Sequence, residues 1–156
     1  MIIGFTGTQR GMSEQQLAAV DVLFGLISET ESAPTLVQGD CIGADEQAYI
    51  IASAHTFATF SRPCTIENKR AYTECDVVFE PKDPIKRNHD IVDEADVMLV
   101  TPGEQLEVLR SGTWATIRYA RKTETPLIVV YPDGSVVVRN ARGQLKELLL
   151  QVACIV

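Results

Sequence analysis

Short apolar runs alternate along the chain with segments whose apolar residues recur at helical spacing. The runs lie at residues 1–6, 36–38, 56–60, 96–100 and 126–131, and the last is unbroken, as in a parallel strand covered on both faces. We expect these five strands to be parallel and joined by right-handed crossovers. The predicted order is 3-2-1-4-5, with the switch point between the first and fourth strands. The pattern therefore predicts an α/β domain, a mainly parallel sheet sandwiched by helices.

Capping signals predict where the helices begin. Ser13 and Gln16 have the spacing of a capping box, and apolar residues follow at helical intervals to residue 27. Asp83-Pro84 is typical of an N-cap followed by proline at the first helical position, and this helix is expected to run to about residue 94. The remaining helices are predicted over residues 44–54, from near 111 to about 122, and from about 141 to 151.

The C-terminal part of the chain departs from this alternation. Pro132-Asp133-Gly134 is a turn signal, so residues 136–138 are expected to pair back antiparallel at a sheet edge. A short strand is expected at 76–79, within an otherwise polar segment. We expect residues 1–156 to form one domain, in which 131–156 is an edge hairpin and a C-terminal helix of unassigned role.

The composition of the chain argues against several classes of protein. The chain has 156 residues, a formal net charge of −7 and 46% hydrophobic residues. The negative charge argues against a protein whose main task is to grip a long nucleic acid. No apolar run approaches the ~18 residues of a membrane span, and no signal peptide is visible. The four cysteines form no C-x-x-C pair, so we expect reduced thiols in a cytoplasmic protein, with no metal and no cofactor.

A small-residue loop precedes the helix that begins near residue 111. Free N–H groups and the helix dipole favour an anion at such a helix start. Gly112 lets a ligand approach the backbone, and the hydroxyls of Ser111 and Thr113 can donate to phosphate oxygens. An ordinary Ser or Thr N-cap with a loop glycine is the alternative interpretation.

Two further glycine loops follow strands and are expected to converge on the same sheet edge. The first contains Gly7, but its glycines do not form G-x-G-x-x-G, and no P-loop lysine is present. The second loop has Asp40 and Asp45 beside Gly39 and Gly43. Paired carboxylates suit ribose hydroxyls or a metal better than a phosphate. The alternative is that Asp40 is a turn residue and Asp45 a dipole partner in the first helical turn.

At two motifs the chain resembles the superfamily of DprA and LOG proteins. Arg110-Ser111-Gly112-Thr113-Trp114, with Thr116 and Arg118, resembles the R-S-G-S-L-x-T-x-R segment of DprA proteins. Arg87-Asn88, followed by Ala95-Asp96 and Pro102-Gly103, resembles the LOG pattern of R-K, A-D and P-G-G. The resemblance covers roughly residues 1–131 and implies a Rossmann-like fold and a homodimer. It also places Arg87 at the LOG catalytic arginine; a surface pairing with Asp83 or Asp90 is the alternative.

The chain also departs from the LOG pattern. Glu104 stands where LOG proteins have their second glycine, and Thr116 stands at the position of their catalytic glutamate. Six extra residues lengthen the loop between the two halves of the motif. If the protein is an enzyme, another carboxylate must take over that role. The candidate carboxylates are Glu104, Glu107, Asp40 and Asp45; Trp114 is interpreted as core in preference to a base-stacking platform.

The sequence thus predicts a protein that binds a nucleotide or a nucleotide-derived phosphorylated ligand. A LOG-like hydrolase of the N-glycosidic bond of nucleoside 5′-monophosphates is the alternative. The residues expected to contact the ligand are Thr6, Gly7, Thr8, Gln9, Gly39, Asp40, Gly43, Asp45, Arg87, Pro102, Arg110, Ser111, Gly112 and Thr113. The candidates for catalysis are Arg87, Glu104, Glu107 and Asp45.

Overall fold

A computed structural model describes residues 1–155, and the side chains of residues 1–151. The strands are β1 (Ile2–Gly7), β2 (Thr35–Gln38), β3 (Ala58–Ser61), β4 (Val77–Val78), β5 (Val97–Thr101), β6 (Leu127–Val130) and β7 (Val136–Arg139). The α-helices are α1 (Glu14–Thr30), α2 (Ala44–Ala54), α3 (Pro84–Glu94), α4 (Gly112–Lys122) and α5 (Gly143–Ile155). No helix in this part of the chain is both long enough and apolar enough to cross a bilayer.

The strands form one seven-stranded sheet in the order β4-β3-β2-β1-β5-β6-β7. Every neighbouring pair is parallel except β6 and β7, which are antiparallel. The predicted order of the five central strands, their parallel pairing and the antiparallel edge are therefore confirmed. From β1 the chain moves outward to β2 on one side and later returns to β5 on the other. The switch point between β1 and β5 leaves a crevice at their carboxyl ends.

Two apolar cores cover the two faces of the sheet. On one face, α1, α2 and α5 pack over residues such as Phe5 and Leu99. On the other, α3 and α4 pack over residues such as Met98 and Val129. Successive residues of β5 and β6 thus pack into the cores on opposite faces of the sheet, which explains why these strands are continuously apolar.

The predicted helix starts are formed by the predicted caps. The Ser13 side chain accepts from the Gln16 amide, and the Gln16 side chain accepts from the Ser13 amide. Asp83 caps α3, which has proline in its first turn. The strand predicted over 56–60 begins two residues later and ends one residue later, because Thr56 has a left-handed φ of 62° and ends the preceding turn.

Candidate functional site

A crevice of about 290 Å³ lies at the carboxyl end of the sheet, beside the switch point. It is bounded by the loops that follow β1, β2 and β5, and by one side of α3. Its lining residues are Phe5, Thr6, Gly7, Thr8, Gln9, Gly39, Cys41, Asp45, Arg87, Asn88, Ile91, Gly103, Glu104, Ser111, Gly112 and Thr113. Three strand-end loops and a helix start therefore surround one small polar cavity.

The start of α4 forms one wall. The Ser111 hydroxyl accepts from the Trp114 amide at 3.3 Å and so satisfies one of the first N–H groups of the helix. The amides of Gly112 and Thr113 precede the first possible intrahelical donors. Apart from its chain neighbours and the backbone of its own helix, no described atom lies within 4 Å of the position that a Gly112 Cβ would take. This helix start therefore has free donors and open space in front of them.

The loop after β1 forms the opposite wall and is locked to its neighbours. The Thr8 amide donates to the Thr101 carbonyl at 3.2 Å, and the Thr8 carbonyl accepts from the Ala44 amide at 3.1 Å. A Cβ on Gly7 would collide with the Thr101 hydroxyl and the Ala44 methyl. Gly43 has φ 89°, and a Cβ there would collide with the Gln9 carbonyl. The glycines thus allow the first two loops to touch through their backbones.

Asp45 holds the second glycine loop in shape. Its Oδ2 accepts from the amides of Gly39 at 3.1 Å and Cys41 at 3.2 Å. The side chain is buried, and this desolvation raises the pKa of Asp45 to about 6, although Arg87 and the two amides partly oppose the rise. Burial therefore keeps Asp45 protonated to a higher pH than an exposed aspartate.

Arg87 reaches the same loop from α3, and only 5% of the residue is exposed. Its Nη1 donates to the carbonyl oxygens of Gly39 and, at 3.1 Å, of Arg62, while its Nη2 donates to Cys41 Sγ at 3.6 Å. Its Nε is buried and has no hydrogen-bond partner among the described residues. The surface pairing with Asp83 or Asp90 is not formed. Arg87 is therefore a buried residue of the crevice wall, and its Nε–H is a donor without an acceptor among the described residues.

Cys41 lies between these charged groups. Its burial and the nearby Asp45 carboxylate raise the pKa of the thiol to about 11, against the opposing effect of Arg87. The thiol is therefore protonated at neutral pH and a poor nucleophile.

Cys41, Cys64 and Cys75 are all free; Cys154 lies outside the described side chains. Among the side chains that are described, no group of three His, Cys, Asp or Glu is placed to hold a metal ion.

The two glutamates of the loop after β5 have different surroundings. Glu104 lines the crevice, where Oε1 accepts from Arg10 Nη2 at 2.7 Å and Oε2 accepts from Trp114 Nε1 at 3.3 Å. Glu107 lies outside it and pairs with Arg118 at 2.9 Å and Arg121 at 3.4 Å. Of the two, only Glu104 is placed to affect a ligand in the crevice.

Several expected contact residues lie elsewhere. Asp40 is fully buried and paired with Arg70 at 2.8 Å, and it also accepts from the amide and hydroxyl of Thr73, so it organises the segment after β3. The Pro102 carbonyl accepts from Gln16 Nε2 at 2.8 Å. Arg110 is exposed outside the crevice, and Gly43 contacts the first loop. The expected residues that the structure does bring together are Thr6, Gly7, Thr8, Gln9, Gly39, Asp45, Arg87, Ser111, Gly112 and Thr113.

Other lining residues were not among the expected contacts. Asn88 follows Arg87 directly, and Ile91 lies one helical turn further along α3. Helical spacing from Arg87 could have indicated Ile91. Phe5 and Cys41 belong to a strand and a loop already assigned to the site. Trp114, interpreted as core, is 2% exposed.

Comparison with known proteins yields structural neighbours only. No protein-family model matches the sequence, and no curated protein matches it. The molybdenum cofactor binding protein of Rippkaea orientalis is 19% identical, with a TM-score of 0.65 over 98% of this chain and 84% of that one. The Moco carrier protein of Chlamydomonas reinhardtii is 18% identical, with a TM-score of 0.63 over 86% and 79%. DNA processing protein A of Helicobacter pylori, described as binding single-stranded DNA, is 20% identical, with a TM-score of 0.57 over 83% and 64%.

The chain shares a Rossmann-like α/β fold with these proteins. At 18–20% identity this likeness establishes the architecture alone, because one fold can carry unrelated functions. The resemblance expected from the two sequence motifs is thereby confirmed at the level of the fold.

Proposed function

We propose that this protein binds a small phosphorylated ligand, a nucleotide or a nucleotide-derived molecule, in the crevice. Its phosphate lies on the turn Ser111-Gly112-Thr113. The observation that carries the proposal is the open space in front of Gly112, at a helix start whose first amides have no intrahelical partner. Thr6, Thr8 and Gln9 line the facing wall.

The remainder of the ligand extends toward Gly39, Asp45 and Arg87. Asp45 uses only Oδ2 for the two loop amides, so Oδ1 remains to accept from a sugar hydroxyl. The guanidinium of Arg87, which lines the crevice, is a donor in the same region. A donor and an acceptor at this end suit the hydroxyls of a ribose, which is why a nucleotide-type ligand is proposed.

Hydrolysis of an N-glycosidic bond is the second candidate function, because two carboxylates do line the crevice. Asp45 and Glu104 are the only members of the expected set that do so. Such a reaction needs a carboxylate beside the anomeric carbon, where positive charge develops. Asp45 uses one oxygen for two amides, and Glu104 uses both of its oxygens for Arg10 and Trp114. Binding without cleavage is therefore favoured. If the protein is a hydrolase, one of these two residues must supply the catalytic carboxylate.

Two structural neighbours are named for the molybdenum cofactor and one for single-stranded DNA. The cofactor is a small molecule and belongs in the same ligand screen as the nucleotides. The net charge of −7 disfavours the DNA interaction, since binding to a strand depends on phosphate neutralisation.

A homodimer remains part of the proposal. In α2, Ala48 and Ala52 are buried in the core, and Ile51 packs against it. Only Ile50, 60% exposed, is left to contact another subunit. Light scattering at micromolar concentration should give twice the 17.1 kDa of the chain, and a mass of one chain would contradict the dimer.

The test is a thermal-shift screen of nucleoside monophosphates and related phosphorylated compounds, with Gly112→Val and Ala18→Val as variants. A ligand at 100 times its Kd should raise the melting temperature by about 5 °C or more. Gly112→Val should abolish that shift without lowering the melting temperature of the free protein, because its side chain enters open space. Ala18→Val, at an exposed position of α1, should keep the shift. Chromatography for released base then separates binding from hydrolysis.

A further inference from the structure

Arg10 connects two of the loops that border the crevice. It belongs to the loop after β1, and its Nη2 is 2.7 Å from Glu104 Oε1 on the loop after β5. The guanidinium passes over Gly103, where a Cβ would be only 2.5 Å from the same nitrogen. The absence of a side chain at residue 103 thus permits an ion pair that bridges two of the loops around the crevice.

Glu104 places a carboxylate beside the start of α4. Its second oxygen accepts from the indole N–H of Trp114, which is the third residue of that helix. Glu104 also shares the crevice lining with Ser111, Gly112 and Thr113. A negative charge is favourable near a helix N-terminus. The chain therefore supplies an anion of its own next to the position proposed for the ligand phosphate.

The pair is suited to being exchanged. The side chain of Arg10 is 71% exposed and that of Glu104 is 35% exposed, and ion pairs with this exposure contribute little to stability. A phosphate offers a guanidinium two or more oxygens in a geometry that its N–H groups match. Because the helix start also favours a phosphate, the balance shifts toward the ligand when one enters.

We propose that Arg10 is exchanged between Glu104 and the ligand phosphate: Glu104 holds Arg10 in the free protein, and Arg10 binds the phosphate in the complex. Glu104 is then an internal competitor that weakens binding, and Arg10 is a binding residue. The inference rests on the proposed function, since it assumes a phosphate at Gly112.

Inorganic phosphate is the probe, because it is the group that the inference concerns. Glu104→Gln should bind phosphate about fivefold more tightly than the wild type, since a nearby negative charge is removed and Arg10 is released. Adding Arg10→Gln to this variant should weaken phosphate binding about tenfold, because a charge-assisted contact is lost. Adding Arg142→Gln in its place removes an exposed positive charge outside the crevice and should change the affinity less than about twofold.

The double variant distinguishes the exchange from simple neutralisation. If Arg10 served only to neutralise Glu104, Arg10→Gln would have no effect once Glu104 is Gln. Equal phosphate affinity of Glu104→Gln and Arg10→Gln/Glu104→Gln would therefore overturn the exchange, and so would no detectable phosphate binding by Glu104→Gln.

The single tryptophan gives a direct reporter. In the ¹H–¹⁵N spectrum of the wild type, phosphate should move the indole N–H resonance of Trp114, because the departure of Arg10 changes the charge on the Glu104 carboxylate that accepts from this N–H. An indole resonance that stays fixed at saturation would contradict the exchange. The proposed function is judged separately, by the loss of nucleotide binding in Gly112→Val, and it can survive either result.

Discussion

The guanidinium of Arg87 donates to the carbonyl oxygen of Gly39, and the same guanidinium fills the space that a Gly39 side chain would need. A Cβ on Gly39 would also be 2.9 Å from Asp45 Oδ2. The three residues therefore form one packed unit in which a backbone carbonyl, a buried cation and a carboxylate are held without a gap. Residue 39 must be a glycine, because any side chain there would overlap with Arg87 and Asp45.

Gly39→Ala should consequently destabilise the protein. A methyl group would push Arg87 and Asp45 apart within a buried site, and such overpacking costs about 1–3 kcal/mol of the free energy of unfolding. Gly112→Ala is the matched control, because its methyl group meets no described atom beyond its own helix and chain neighbours and should change stability by less than about 0.5 kcal/mol. Urea denaturation of both variants measures the difference. Equal stabilities would show that the Arg87 unit is not tightly packed.

Asp45 predicts a pH dependence of stability. Its pKa is raised to about 6 in the folded chain, above its unfolded value of about 4. Between these values the folded state binds more protons than the unfolded state, so the free energy of unfolding falls as pH rises through this window. The contribution is fully present below about pH 4 and is lost above about pH 6.

The comparison with Asp45→Asn isolates this effect, because the amide does not titrate and its oxygen can still accept from the loop amides. The wild type should lose up to about 3 kcal/mol relative to the variant between pH 4 and 7. Denaturant titrations at several pH values measure this. Parallel curves for the two proteins would contradict the raised pKa of Asp45.

Cys41 should react slowly with alkylating agents. With its thiol pKa raised to about 11, it has far less thiolate at pH 8 than an ordinary cysteine, so alkylation by iodoacetamide should be about 100-fold slower than that of free cysteine. Mass mapping over time measures the rate at this position. Asp45→Asn should accelerate it, because the Asp45 carboxylate is one of the causes of the raised pKa. A rate equal to that of free cysteine would be incompatible with this environment.

Local signals in the sequence were sufficient for the elements that frame the crevice. Ser13 and Asp83 act as the predicted caps, and Ser111 caps α4 as in the alternative interpretation of its loop, because a cap depends only on amides two or three residues away. The strand order followed from apolar runs and crossover handedness. The position of Gly112 at the start of a helix could be predicted from the same kind of local signal.

Pairings between distant residues could not be predicted in the same way. Asp40 was expected at the ligand because it follows a strand, but its carboxylate pairs with Arg70, thirty positions away. Glu104 is held by Arg10, which lies ninety-four positions earlier in the chain. Nothing local marks either arginine as the partner. The folded chain decides which carboxylates remain available in the crevice.

The most direct test of the central claim is a ¹H–¹⁵N titration of the wild type with the ligand from the nucleotide screen. The amides of Gly112 and Thr113 should show the largest shifts, because a phosphate accepts hydrogen bonds from them. Thr8 on the facing wall should follow, and Gly112→Val should remove the response. Saturable shifts centred away from the start of α4, with Gly112 and Thr113 unmoved, would contradict a phosphate site at this turn.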